Sequence, residues 1–433
     1  MRGDPPILDW SSAGEPRSRL YGDVYFSAED GLSEARAVFL EGCDLPGLWT
    51  GRTRFVVGEL GFGTGLNILA LLDLWRTTRP PGSHLSIFSV EAHLMSRDEA
   101  RRALDRWPEI ADLADPILRQ WPKARSGRHR MDLPDLGAHL DLALMDVGTA
   151  LEQWQGRADA WFLDGFSPAL NPAMWSDEVL ALVARKTAPG GRAATFTVAG
   201  QVRRGLQSAG FSVDKRPGFG RKRERLVASL PDPAIAAPPS PPRVAIIGAG
   251  IAGASVSRAL SDLGILHQVF DGEGPGSGAS GNPAALVTPR LDAGLGPVAR
   301  LTTQAFFRAR DLYLATPNAV LSQSVLQLAV GDRDAGRFDK IATSGFFGPG
   351  DLEILTPDEA SARLGEDTAL SGLDLASALV IQPGSVLSAW LEISTQVRIG
   401  AMIDTPGGWR LEDQIGTPLG TCLLYTSPSP RDS

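Results

Sequence analysis

The stretch FVVGELGFGTGLN, Phe55–Asn67, decides how the first half of this chain reads. RFVVGEL has the apolar density of a buried strand, and LNILALLDLWRTT, from Leu66, that of an apolar-rich helix behind it. Between them stand an acidic residue, Glu59, and glycines at 61, 63 and 65. Glycine lets the backbone turn tightly and approach a ligand closely. A strand, a glycine loop and a helix open a doubly wound α/β sheet, which binds ligands at the carboxyl ends of its strands.

Residues 1–230 keep that βαβ rhythm. HLSIFSVEA, LDLALMDV, ADAWFLDGF and RAATFTV read as further buried strands. SDEVLALVARKTAPGG reads as a helix with a serine cap and acids in its first turn, stopping at Pro-Gly-Gly. PDPAIAAPPSPP, residues 231–242, is half proline, so it can join neither a helix nor a sheet interior and reads as a stiff linker. A second βαβ unit starts at Arg243: RVAIIGAGIAGASVSRAL has a strand, then Gly248, Gly250 and Gly253, then a helix. HQVFDGE follows and places Asp271 about 20 residues on, where a dinucleotide's ribose partner belongs.

The 433 residues suit two or three domains, and 43% hydrophobic with 21% charged residues is an ordinary globular composition. No apolar run reaches the ~20 residues of a membrane span. The N-terminus, MRGDPPILDW, has acids and prolines where a signal peptide has its apolar core, so a cytoplasmic monomer without membrane contact is expected. Two cysteines, Cys43 and Cys422, and five scattered histidines exclude a disulfide framework and speak against a zinc or other metal site. No G-x-S-x-G elbow supports a serine hydrolase.

The net charge of −8 is uneven. Residues 1–230 carry 29 Lys+Arg and 29 Asp+Glu, and the remainder 13 and 21, so a nucleic-acid partner would need a local basic patch in the first half. Val202–Arg225 is such a patch, with eight Lys/Arg against two acids and Gly218-Phe219-Gly220 leading into Arg221, Lys222 and Arg223. Phosphates favour such clusters, and an exposed aromatic ring can stack on an unpaired base. The same charges also fit a solvated last hairpin of the sheet.

The G-x-G-x-G spacing of the first loop resembles motif I of class I S-adenosylmethionine-dependent methyltransferases. That resemblance makes Glu59, Gly61, Gly63, Gly65 and Asn67 candidates for the cofactor pocket. Glu91, ending the second strand, would accept the ribose hydroxyls, and Asp146 would sit beside the adenine. In DAWFLDGFSPALNPAMW, Asp159–Trp175, a strand delivers Asp164 to its carboxyl end. A carboxylate there could orient an amine and help remove its proton, and Phe166 could face a cationic centre. The segment resembles the Asp/Asn-Pro-Pro-aromatic motif of amino-methyltransferases but departs from it as Asp-Gly-Phe-Ser-Pro. A capped turn with a core phenylalanine fits it too.

GDVYFSAEDGLSEARAVFL, ELGFGTGLN, DAWFLDGFSPALNPAMW and GFGRKRE together resemble the bifunctional tRNA 5-methylaminomethyl-2-thiouridine biosynthesis proteins. The family's FAD domain removes the carboxymethyl group from 5-carboxymethylaminomethyluridine at the tRNA wobble position, and its methyltransferase domain then methylates the amine. The resemblance implies S-adenosylmethionine, FAD and tRNA as ligands. It makes Asp164 the candidate catalytic carboxylate and Arg221, Lys222 and Arg223 candidates for tRNA contact. Asp23, Tyr25 and Phe26 lie in a family block and would stand at the substrate mouth. In the second half GSGASGNPAALVTP resembles the flavin-proximal segment of oxidases of the glycine-oxidase type. It adds Ala279, Ser280, Gly281 and Asn282 to Gly248, Gly250, Gly253 and Asp271 as FAD candidates.

The expected fold is thus α/β: a class I methyltransferase doubly wound sheet over 1–230, then a partial FAD-binding Rossmann-type domain of the glycine-oxidase/amine-oxidase type over 243–421. Leu301–Thr421 reads as a helix followed by strand-rich substrate-domain sequence. CLLYTSPSPRD, from Cys422, fits nothing before it and resembles an in-frame reading of a transposase-type sequencing adapter, which makes 422–433 a non-native tail. On that reading the oxidase half stops before returning to its FAD sheet, leaving an incomplete core and weak flavin binding. Two other functions stay open: a tRNA-binding protein with vestigial pockets, and an amine oxidase fused to a methyltransferase of small metabolites.

Overall fold

Apolar residues on alternate positions of Arg54–Leu60 serve two layers at once: Phe55 and Val57 pack into one core, Val56 and Leu60 into the other. The computed structural model describes residues 5–12, 14–27, 29–122, 126–220, 223–231, 242–289, 291, 296–348, 350–406 and 408–426. The chain divides into two compact units, Met1–Ala237 and Pro238–Ser433.

The first unit opens with a hairpin of β1 (Leu8–Trp10) and β2 (Pro16–Ser18). Its sheet contains β3 (Arg54–Leu60), β4 (His84–Glu91), β5 (Gly127–Leu133), β6 (Ala138–Leu144), β7 (Ala158–Leu163), β8 (Thr187–Thr195), β9 (Ser212–Pro217) and β10 (Glu224–Ser229). The order across it is β5-β6-β4-β3-β7-β8-β10-β9. The strands from β6 to β8 in that order are parallel, while β5 and β10 run antiparallel to their neighbours. Chain order reverses between β3 and β7, so their carboxyl ends open the crevice where doubly wound sheets take ligands.

Helix Leu66–Thr78 buries Ile68, Leu69, Leu71, Leu72 and Trp75 on one face of the sheet. Helix Asp177–Arg185 buries Val179, Leu180 and Val183 on the other. Gly58 leaves room for Trp161 on the adjacent strand, since a Cβ there would stand 2.4 Å from the indole. The helix from Asp177 is capped as its sequence predicts, Ser176 accepting the Val179 N–H, but it ends at Arg185, short of Pro-Gly-Gly. Pro189-Gly190-Gly191 lies inside β8 instead. There the register jumps from Ala158↔Thr187 to Ala160↔Arg192, so the strand's extra residues bulge out, with Gly190 at φ 71°.

At the amino ends of β4 and β6, away from the crevice, His84 Nε2 and His139 Nδ1 meet at 2.8 Å, both buried. Burial, then the neighbouring His139, Arg54 and Arg130, push His84 down to about 4. A histidine held neutral in the fold stabilises it less as pH falls, because the unfolded chain takes up the proton first. The fold should therefore lose stability between about pH 6.5 and 4. In urea unfolding at pH 7 and pH 5, His84→Gln should lose about 1 kcal/mol less than the parent across that interval. Equal losses would remove His84 as the cause.

In the second unit β11 (Val244–Ile247) and β12 (His267–Asp271) are parallel and joined by helix Ile251–Asp262. A second sheet, of β13 (Ala285–Val287), β14 (Val320–Leu328), β15 (Glu353–Leu355) and β16 (Gly372–Ile381), pairs antiparallel around β16. Its core is shared with helices Pro297–Ala315 and Pro383–Trp390. The chain then returns to the first sheet, contrary to the expectation that it stops before doing so. With β17 (Ser394–Gln396), β18 (Ile399–Thr405), β19 (Gly408–Asp413) and β20 (Pro418–Thr426) the order becomes β17-β12-β11-β20-β19-β18. The physical reason is strand pairing: Ser394–Gln396 lies parallel to Val269–Asp271, and Leu423–Thr426, in the stretch expected to be a non-native tail, lies parallel to Val244–Ile247. The strand-rich sequence before Thr421 therefore belongs to two sheets. Residues 232–241 of the linker and 427–433 of the tail lie outside the described residues.

Candidate functional site

The two-residue period that builds the first unit's core also gathers its polar groups. On β3, β4 and β7 the residues facing helix Leu66–Thr78 include Phe55, Val57, Leu85, Ile87, Ala160 and Phe162. Continuing each alternation to the strand's carboxyl end brings Glu59, Ser89 and Glu91, and Asp164, to that same face. Asn67, in the first turn of the helix, meets them from above.

The result is a continuous polar chain. The Ser89 hydroxyl donates to Glu59 Oε2 at 2.5 Å. The Asn67 amide donates to Glu59 Oε1 at 3.2 Å and to Asp164 Oδ2 at 2.7 Å. Glu59 is fully buried, and burial first, with the nearby charge of Asp164, raises its carboxyl well above the usual carboxylate range against the Ser89 and Asn67 hydrogen bonds. Ser89 carries no motif, and only its place on the strand's inner face among apolar residues marks it.

The glycine loop is shaped by contacts around it. Gly61 and Phe62 donate their N–H groups to Val90 O at 3.0 and 3.1 Å. Gly61 holds φ 93°, and a Cβ on it would stand 2.0 Å from the Asp164 carbonyl oxygen. Glu91 ties the loop from the next strand: its Oε2 accepts the Gly63 N–H at 3.0 Å and its Oε1 the His93 N–H at 2.8 Å. Gly65 caps the helix at φ 82°. Asp146 stands at the carboxyl end of β6, where its exposed carboxylate accepts the Thr149 N–H at 3.0 Å and caps helix Val147–Gln153.

The N-terminal segment covers this mouth. Asp23 Oδ2 accepts the Ser167 N–H at 2.9 Å, joining the segment to the turn after Asp164. Phe166 stacks on Tyr21, centroids 4.7 Å apart, and meets the edge of Tyr25 at 5.2 Å. Tyr25 also borders Gly63, and burial with the charge of Glu91 raises its hydroxyl far above the ordinary tyrosine range. Phe26 belongs to the core instead, edge-on to Trp107. Tyr21 went unselected in the sequence because a lone tyrosine after a hairpin has no period to betray it.

Arg223 is exposed, and its carbonyl accepts the Gly218 N–H at 3.0 Å, closing the turn between β9 and β10. Arg221 and Lys222 lie outside the described residues. Neighbouring basic groups pair with acids, Lys215 with Glu224 at 2.7 Å and Arg225 with Glu41 at 3.7 Å. Arg203 and Arg204 of the same stretch lie in helix Gly200–Ser208, and Ser212–Pro217 pairs antiparallel with Glu224–Ser229 as the sheet's last two strands.

In the second unit Gly253 sits against Gly248, where a Cβ would stand 1.9 Å from the Gly248 carbonyl oxygen, so helix and strand close tightly around the loop. The Asp271 carboxylate accepts the Ala249 N–H at 2.7 Å and those of Glu273 and Gly274 at 2.9 Å. Ala279–Gly281 forms a short turn ending at Asn282, and Ser280 Oγ accepts the Ile251 N–H at 2.9 Å, beside Gly250. A helix N-terminus over closely packed glycines fits a dinucleotide's pyrophosphate, and Gly250 and Ser280 stand where it would lie. The first cradle, whose loop is roofed by aromatic rings and ringed by carboxyl groups, fits a cationic ligand. No group of three or more His, Cys, Asp and Glu among the described residues could hold a metal ion, and no helix there is long and apolar enough to cross a membrane.

Comparison with known proteins agrees with the division into two units. The family model for S-adenosyl-L-methionine-dependent methyltransferases matches residues 108–231, and that for FAD dependent oxidoreductases residues 243–396. The tRNA 5-methylaminomethyl-2-thiouridine biosynthesis bifunctional protein MnmC of Caulobacter sp. (strain K31) is 55% identical over 426 residues, covering 96% of this chain and 70% of that protein. The protein of the same name from Caulobacter vibrioides is 56% identical, covering 95% and 69%. A solved structure titled MNMC2 from Aquifex aeolicus is 24% identical over 55% of this chain and 73% of that one, with a TM-score of 0.41. On the extent of those two Caulobacter matches, the chain belongs to the family of MnmC bifunctional tRNA-modification proteins.

Proposed function

We propose that the chain modifies the wobble uridine of tRNA in the cytoplasm, as a monomer, with its two units acting in succession on one side chain. The second unit converts 5-carboxymethylaminomethyl-(2-thio)uridine to the 5-aminomethyl form, and the first methylates that amine. S-adenosylmethionine supplies an electrophilic methyl group to the first cradle, and FAD supplies a hydride acceptor to the second.

The observation that carries this reading is Asp164 at the switch point of the first sheet, beside the Tyr21–Phe166–Tyr25 rings. An amine attacks only with a free lone pair, and it must shed a proton as it gains a methyl group. Asp164 accepts a hydrogen bond from the amine, aims its lone pair and takes up that proton. The rings face the cationic centre and keep water out. Glu59, Gly61, Gly63, Gly65, Asn67, Glu91 and Asp146 form and border the cofactor side. In the second unit Gly248, Gly250, Gly253, Asp271, Ala279, Ser280, Gly281 and Asn282 hold the flavin's nucleotide part. Arg221, Lys222 and Arg223 contact tRNA phosphates.

The test supplies the purified protein with tRNA bearing 5-aminomethyluridine and methyl-labelled S-adenosylmethionine. Label is expected in the wobble nucleoside after digestion. Binding of tRNA without label transfer would support the vestigial-pocket reading instead. Labelling of free 5-aminomethyluridine as readily as of the tRNA would support a small-molecule enzyme.

A further inference from the structure

Asn67 touches both carboxyl groups at the heart of the first site. Its single amide nitrogen carries two hydrogens, and both are used, toward Glu59 Oε1 and Asp164 Oδ2. The residue is 9% exposed and the Glu59 it leans on is 0% exposed. Glu59 is itself held from the far side by Ser89. The chain Ser89–Glu59–Asn67–Asp164 thus crosses three adjacent strands, β4, β3 and β7, and is pinned from above by the helix.

We infer that Asn67 is a positioning residue for the methyl transfer, its amide clamping Asp164 at the amine-facing end of a buried hydrogen-bond chain rather than serving the methyl donor. The inference rests on the proposed function for the reaction, and on geometry alone for the clamp. Three features support it. An amide is a neutral donor, so it fixes a carboxylate's orientation without the strong acidification that an Arg or Lys partner brings, and the carboxylate keeps its affinity for a proton. Glu59 is fully buried and holds one hydrogen of the Asn67 amide, so the other stays directed at Asp164. Both hydrogens are engaged within the protein, so donating to a ligand would mean giving up one of these bonds.

The test compares the full chain with Asn67→Ala and with Asn67→Leu, whose side chain has the same branching and no N–H to donate. The second variant serves where the first fails to fold, as judged by thermal melting. The inference expects kcat for methyl transfer to fall about 10²-fold, the cost of a misplaced catalytic group, with KM for tRNA and Kd for S-adenosylmethionine within about threefold of the parent. It also expects the acid limb of the kcat–pH profile to move to higher pH, because a carboxylate that loses a donor holds its proton more tightly. A Kd for S-adenosylmethionine that weakens in step with activity would make Asn67 a cofactor ligand and overturn the inference, as would an unchanged kcat. If the parent itself transfers no methyl group to tRNA, the proposed function fails. The clamp is then judged separately, by carbon NMR titration of Asp164: an upward shift in the variants keeps it and an unchanged titration rejects it.

Discussion

Replacing Asp164 by asparagine should lower methyl transfer by about 10²- to 10⁴-fold, the range that one positioned general base supplies. The substitution is close to a pure removal of basicity. The carbonyl oxygen of the new side chain can still accept the Asn67 amide hydrogen that now reaches Asp164 Oδ2 at 2.7 Å. The backbone N–H of residue 164 still donates to Leu60 O at 3.0 Å. What disappears is a group able to accept the amine's proton. Binding of S-adenosylmethionine, measured by calorimetry, should therefore stay within about threefold of the parent while single-turnover label transfer collapses. Loss of both together would point to a structural role for Asp164, and retention of activity would remove it from the reaction.

The second large effect is expected at Gly61. Its φ of 93° already disfavours any other residue, and an alanine Cβ would lie 2.0 Å from the Asp164 carbonyl oxygen. That oxygen is backbone, at the end of β7, so it cannot swing aside as a side-chain tip would. Gly61→Ala must push β3 and β7 apart where they form the crevice. The strain of a left-handed alanine costs about 1–2 kcal/mol, and the clash should bring the total to about 3–4 kcal/mol. Gly51 separates the two contributions, since it holds φ 74° with nothing within 4 Å of the position a methyl group would take. Gly51→Ala should show the backbone cost alone, about 1 kcal/mol, with cofactor binding unchanged. Urea unfolding of the two variants checks the difference. A Gly61→Ala protein as stable as Gly51→Ala, with intact S-adenosylmethionine binding, would mean that the loop relaxes at little cost.

Much of the first unit was legible as local pattern. RFVVGEL and LNILALLDLWRTT are a strand and a helix over the residues read, because dense apolar residues between glycines and polar ends leave few alternatives. Pro-Gly-Gly misled, since residues that stop a helix also make a strand bulge, and only the pairing of β7 with β8 selects between them. Among the site residues, the glycines and Asp164 announced themselves by motif. Ser89 and Tyr21 did not, because each takes its meaning from a partner on another element, Glu59 for one and Phe166 for the other. Asp146 was named from the sequence, and in the fold its carboxylate caps the helix that follows it by a local bond to Thr149 N–H.

By itself the sequence determined the two cradles, their order along the chain and the residue types gathered at each, since glycine spacing and strand–helix periods act over a few neighbouring residues. Tertiary structure decided which of those residues meet. Strand pairing sets the parity that turns Glu59, Ser89 and Asp164 to one face, and helix packing then lowers Asn67 onto them. It also brought Leu423–Thr426 beside Val244–Ile247, about 180 positions away. Such contacts depend on register and burial between distant segments, and no local pattern carries that information.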